Sequence, residues 1–174
     1  MRLLSETKAL EKLTRLQAEF EEKVRLNYEH KAKPCAVCET PGACCLDEHF
    51  VNVHISRLEA VAIRRKLNTL APELRAEVYE RVDRAIDRYQ MDAAADTFET
   101  KYACPLFEKG TGCLVHNEGK PAACVMHACY ENEADLPPDQ LQTEQELRID
   151  NLNTRTYGHS QPWLPIPLAI RSSR

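Results

Sequence analysis

Glycine and aromatic residues are scarce in this 174-residue chain, with five glycines and an aromatic share of 6%. With Ala, Leu, Glu and Arg plentiful, that scarcity points to a mainly helical fold. The N-terminus lacks an apolar run of signal-peptide length, because Arg2, Glu6, Lys8, Glu11, Lys12 and Arg15 interrupt it. Nothing later approaches a membrane span, so a cytoplasmic protein without a membrane partner is expected. A strongly basic face is also missing: 23 basic residues stand against 27 acidic ones, a net charge of −4. That balance argues against a nucleic-acid partner, and Arg64-Arg65-Lys66 reads as the solvated side of a helix. No Ser-His-Asp grouping, phosphate-binding glycine loop or His-Glu-x-x-His occurs, so hydrolase and nucleotide-binding classes find no motif support. No internal repeat is present, and the length suits one domain with some appended helix.

Against these absences stand eight cysteines. Cys35, Cys38, Cys44 and Cys45 are spaced C-x2-C-x5-C-C, and Cys104, Cys113, Cys124 and Cys129 are spaced C-x8-C-x10-C-x4-C in loop-like sequence. A disulfide framework is the rival reading, but in a reducing compartment such sets signal metal or redox chemistry more often than stable bridges. Soft, charged thiolates can tie together a region that lacks apolar side chains. All eight cysteines are therefore candidate ligands for zinc or iron, the iron as an ion or as an iron-sulfur cluster.

The spacings refine this expectation. Cys35 and Cys38 form a C-x-x-C chelate whose sulfurs reach one metal. Adjacent Cys44 and Cys45 suit chelation less, because neighbouring side chains in extended backbone point apart, so one of them would serve another metal atom or none. A single C-x-x-C does not match a zinc ribbon, and Cys104-Pro105 has the Cys-Pro step found at ferredoxin-type ligands, which tilts the choice toward iron-sulfur. His127, between Cys124 and Cys129, and His116, just after Cys113, are candidate ligands or donors to sulfur, although the cysteines already supply enough ligands. His49 and His54 read as surface or capping residues. A catalytic Cys35/Cys38 dyad lacks the strand-helix context of a thioredoxin fold, and no catalytic residue is assigned.

The cysteine pattern, with Cys104-Pro105-Leu106-Phe107, Gly112-Cys113-Leu114-Val115-His116 and Lys120-Pro121-Ala122-Ala123-Cys124 leading to Cys129, resembles the CxxCxxCC (YkgJ-type) cysteine-cluster family. Members of that family are regarded as zinc- or iron-chelating. They typically read Cys-Pro-Phe-Leu, then Gly-x-Cys-x-Ile-Tyr, then Arg-Pro-x-x-Cys-Arg-x-x-Pro-Cys. This chain departs at Leu106-Phe107, at His116 in place of tyrosine, and at Lys120 and Val125 in place of arginines. Every cysteine is kept, so the resemblance implies ligand capacity from Cys35 to Cys129, while roles that need the arginines or the tyrosine do not carry over. Some flagellin lysine methylases are similar in carrying such a set, apparently for an iron-sulfur cluster, but no methyl-donor loop is evident here.

Around the cysteines, Leu10, Leu13, Leu16 or Gln17, Phe20 and Val24 predict an amphipathic helix from a Ser5 cap to near Tyr28. Its stripe packs on the domain or, alternatively, meets a protein partner. Val51, Val53 and Ile55 alternate with polar residues as a short strand or extended lead-in. Ser56-Arg57-Leu58-Glu59 is a capping box opening a helix to about Leu67. Pro72 opens another, with Leu74, Val78, Val82, Ile86 and Tyr89 on one face, continuing toward Phe98. These two helices are expected to form an antiparallel pair that returns Cys104 to the neighbourhood of Cys45. A polar helix follows from Asp139 to about Arg155, with apolar positions at Leu141, Leu147, Ile149 and Leu152. Gln161 to Leu168, interrupted by prolines, is expected as an extended strap rather than a helix, or as a proline-rich docking peptide.

The expected fold is thus mainly α, a small single domain whose helices fasten a cysteine-rich, loop-built metal or iron-sulfur site. Its parts would be an N-terminal amphipathic helix at 1–30, a cysteine-cluster metal-binding region at 31–135, and a polar helix with a Pro-rich C-terminal strap at 136–174. The expected function is chelation of zinc or iron. The alternatives are a component of a cluster-dependent redox or methyl-transfer enzyme and a structural-zinc protein-interaction module.

Overall fold

A computed structural model describes residues 3–33, 40, 42–46, 53–94 and 96–173. Cys35, Cys38, His49 and Val51 lie outside the described residues. The chain is mainly helical and small, and it divides into two compact units, Met1–Pro41 with Lys120–Gln161 and Gly42–Gly119 with Pro162–Arg174. No described helix is long and apolar enough to cross a membrane.

The first unit is built on α1 (Glu6–Asn27) and α5 (Asp139–Tyr157). Ser5 caps α1 as expected, its Oγ accepting from the Lys8 N–H, and the buried stripe is Ala9, Leu10, Leu13, Gln17, Phe20 and Val24. The two helices run antiparallel: Tyr157 Oη donates to Glu6 at one end, while Gln145 Nε2 donates to the Leu16 carbonyl farther along. From α5, Ile149 and Leu152 are buried with Gln145, Asn153 and Thr156, whereas Leu147 is exposed. The short α4 (Ala122–Met126) packs on both helices, and Gln17 Nε2 donates to the Lys120 carbonyl at its entrance, 3.2 Å away. A two-residue antiparallel ladder joins β1 (Ala32–Lys33) to β5 (Cys129–Tyr130), with Lys33 opposite Cys129.

In the second unit, Ser56 and Glu59 form the expected capping box of α2 (Arg57–Leu67), with the carboxylate accepting from the Ser56 N–H at 2.9 Å. Pro72 opens α3 (Pro72–Arg88), since a first-turn residue has no helical acceptor for the N–H that proline lacks. The continuation toward Phe98 is not realised. Gln90 takes a positive φ of 50°, and the Met91 N–H returns to the Ile86 carbonyl, which closes the helix in a Schellman-type turn.

The C-terminal segment corrects the sequence reading more fully. Only β6 (Leu164–Pro165) is extended, paired with β2 (His54–Ile55), and Ile166–Ser172 forms a helix, α6. Pro167 lies in its first turn, where it breaks no hydrogen bond. Ile166, Leu168, Ala169 and Ile170 are buried, and both α2 and α3 pack on this helix. Tyr102, fully buried, knots the core: its hydroxyl donates to the Val53 carbonyl at 2.7 Å and accepts from the N–H groups of Val53 and Ile166. The hairpin of β3 (Phe107–Glu108) and β4 (Gly112–Cys113) completes the unit.

Candidate functional site

Four of the predicted ligands, Cys44, Cys45, Cys104 and Cys113, belong to the second unit, and Cys124 and Cys129 belong to the first. The second unit thus draws on both sequence sets. Cys44 and Cys45 occupy a 3-10 turn, Ala43–Cys45, entered from Gly42. Gly42 has a φ of +83°, and a Cβ there would run into the Phe107 ring. Glycine is thus required both for the turn and for the close approach of the hairpin. The Cys104 N–H donates to the Cys45 carbonyl at 2.8 Å, so the two cysteine-bearing segments are joined through their backbones. Phe107 lies directly opposite Cys113 in the β3–β4 register. Leu106 and Val115 are buried and anchor the loop that carries Cys104 and Cys113.

The thiols in this loop cluster influence one another. The Cys45 thiol is pushed up by its hydrogen bond with Cys44, then by burial and by the charges of Cys104, Cys44 and Cys113. In a 3-10 turn the adjacent side chains are near enough for that bond, unlike the divergent arrangement expected of extended backbone. Burial pushes the Cys104 thiol up to about 12, and Cys113 adds to the shift. The nearby backbone N–H groups of Leu106 and Phe107 and the Arg81 guanidinium pull the other way, toward the thiolate, while the Phe107 N–H itself donates to the Cys104 carbonyl at 3.2 Å. Arg81 Nη1 donates to Glu108 Oε2 at 2.7 Å, while its Nε and Nη2 are buried with no partner among the described residues. Arg81 and Glu108 were not legible as site residues, since Arg81 is one of several arginines on α3 and only the fold places it beside Cys104.

Among the described residues, no group of three or more Cys, His, Asp or Glu side chains is arranged to hold a metal ion. The thiols of the second unit are neighbours rather than a closed ligand set. Their clustering nevertheless fits a thiophilic cation, since a bound metal would stabilise thiolates that are now disfavoured, at Cys104 first by burial and at Cys45 first by the hydrogen bond with Cys44. All six described cysteines are thiols rather than half-cystines.

In the first unit, Cys124 is half-buried on α4 and Cys129 is exposed on β5. The neighbouring Tyr130 hydroxyl is pushed up by burial and by Glu29. His116 and His127 are exposed. His54 is half-buried, bonded through Nε2 to Thr97 Oγ1 at 2.8 Å and stacked on Phe98, and burial lowers its pKa against the opposing effect of Asp96. That is a packing role.

The chain matches no family profile, no curated protein and no solved structure.

Proposed function

We propose that the protein binds zinc or iron through cysteine thiolates, as the resemblance to the CxxCxxCC (YkgJ-type) family implies, and that the ligands divide by unit. Cys44, Cys45, Cys104 and Cys113 would hold one metal or cluster. The observation that carries this reading is the convergence of the two cysteine-bearing segments, where the Cys104 N–H donates to the Cys45 carbonyl at 2.8 Å and the hairpin sets Cys113 opposite Phe107. Cys124 and Cys129 would form a second site with Cys35 and Cys38. In support, the β1–β5 ladder sets Lys33, two residues before Cys35, opposite Cys129.

The Cys104-Pro105 step and the absence of a zinc-ribbon pattern favour iron-sulfur over zinc at the first site. A bound cluster would supply one-electron chemistry, making the protein an electron carrier or a component of a redox or methyl-transfer enzyme. Structural zinc would instead make it an interaction module whose helices present the surface. Anaerobic purification followed by ultraviolet-visible spectroscopy and elemental analysis tests the reading. Brown protein with charge-transfer bands that bleach on reduction is the expected result. Colourless protein with stoichiometric zinc would retain thiolate chelation and reject the cluster, and protein without either metal, even after anaerobic reconstitution, would contradict the proposal.

A further inference from the structure

On the first unit, the seam between α1 and α5 opens into a groove of about 380 Å³ lined by Lys12, Arg15, Leu16, Arg148, Leu152 and Arg155, with Asn151 at its edge. Its charge is unlike that of the chain, which is net −4. Lys12 and Arg15 stand one turn apart on α1, and Arg148 and Arg155 lie two turns apart on α5, so four cations face a single space. Such spacing is repulsive in an isolated helix. Only Arg148 has a carboxylate partner among the described residues, Glu19 Oε2 at 3.2 Å, and it also donates to Gln145 Oε1. Lys12, Arg15 and Arg155 have no ion-pair partner among the described residues. Leu152 is buried and Leu16 half-buried, giving the groove an apolar floor.

We infer that this groove binds a phosphate-bearing small molecule of about nucleotide size. Three guanidiniums present more paired N–H donors than one carboxylate can accept, whereas a phosphate or diphosphate offers several charged oxygens to planar, bidentate partners. The volume falls in the range of small-ligand sites, about 300–1,000 Å³, and the leucine floor suits an apolar or planar body attached to the anion. Side chains would make this recognition, which explains why no glycine-rich phosphate loop is needed. The groove is lined by none of the cysteines, so the inference stands apart from metal binding.

The test is calorimetric titration of the full chain with ADP, with pyrophosphate and with adenosine at low ionic strength. Saturable binding of ADP, weaker binding of pyrophosphate and none of adenosine are expected, with ADP affinity falling as salt rises. Arg15→Gln and Arg155→Gln, both at exposed positions, should each weaken ADP binding by about tenfold. Arg65→Gln on α2 should leave it unchanged, and metal content and far-ultraviolet circular dichroism should match the wild type in all three variants. Absence of saturable binding by both ADP and pyrophosphate would overturn the inference, as would ADP binding that persists unchanged in the Arg15→Gln/Arg155→Gln double variant. Retention on phosphatidylglycerol vesicles without ADP binding would assign the groove to a lipid surface and reject a small-molecule site.

Discussion

The first unit joins its long helices through a narrow apolar stripe completed by amide side chains, with Gln17 and Gln145 donating to backbone carbonyls and Asn153 buried beside them. In the second unit an apolar core closes around α6, and the fully buried hydroxyl of Tyr102 is satisfied three times over. The cysteines follow the same division. Those of the second unit sit on a turn and a hairpin anchored by Leu106, Val115 and the Gly42–Phe107 contact. Cys129 of the first unit sits exposed on a two-residue ladder. The contrast teaches that packing holds the thiols of the second unit and, on α4, Cys124 of the first, while Cys129 has only a two-residue ladder to hold it.

Thiol reactivity should break this comparison most sharply. Burial pushes the Cys104 thiol up to about 12, so at pH 8 in metal-free protein it should be alkylated by iodoacetamide far more slowly than an ordinary exposed thiol. Exposed Cys129 should be modified first, as peptide mass spectrometry would show; equal rates would remove the distinction. Next in size is Ile170→Ala. It empties a fully buried position on α6 and should cost about 2–5 kcal/mol, with amide-exchange protection lost in the second unit and kept in the first. Tyr102→Phe deprives the Val53 N–H of its hydroxyl partner, leaves the Ile166 N–H only its bond to the Val53 carbonyl, and should cost about 1–3 kcal/mol in urea denaturation.

Gln145→Ala should cost only about 1 kcal/mol, because the Leu16 carbonyl keeps its place within α1 after losing the amide. A loss as large as that of Ile170→Ala would mean that the first unit depends on its amide hooks as much as the second does on α6. The smallest effect concerns pH. The folded state of His54 holds its pKa below the ordinary 6.5, so its contribution is fully present above pH 6.5 and is lost as pH falls toward the lowered value, where the unfolded chain binds the additional proton. His54→Asn should flatten the decline in stability that sets in as pH falls below about 6.5, as read from urea midpoints; an unchanged slope would dismiss the histidine as its source.

What could be read from the sequence was local. The Ser5 cap, the capping box at Ser56 and Glu59 and the entry at Pro72 all depend on residues within one turn, and each appears where the pattern puts it. Errors arose where position within an element decides the outcome. Pro167 looked like a helix breaker but falls in a first turn, and the second helix, expected to continue toward Phe98, ends at a left-handed residue, Gln90. Of the sparse apolar positions of α5, Ile149 and Leu152 are buried and Leu147 is exposed, a difference that the spacing alone did not decide. The cysteines were legible as candidates, and the return of Cys104 to Cys45 was expected and is seen in the bond from the Cys104 N–H to the Cys45 carbonyl. The meeting of Lys33 with Cys129 and the placing of Arg81 beside the thiols are properties of topology that spacing along the chain does not carry.

The central claim, that the thiolates divide into one metal site per unit, is tested most directly by metal stoichiometry in two paired variants reconstituted anaerobically. Cys104→Ser/Cys113→Ser and Cys124→Ser/Cys129→Ser should each lose one site's share of metal and keep the other's, so that the two losses together account for the wild-type content. Complete loss of metal from either pair would contradict the division by showing that all the ligands serve one centre, and full retention in either would show that its cysteines are not ligands.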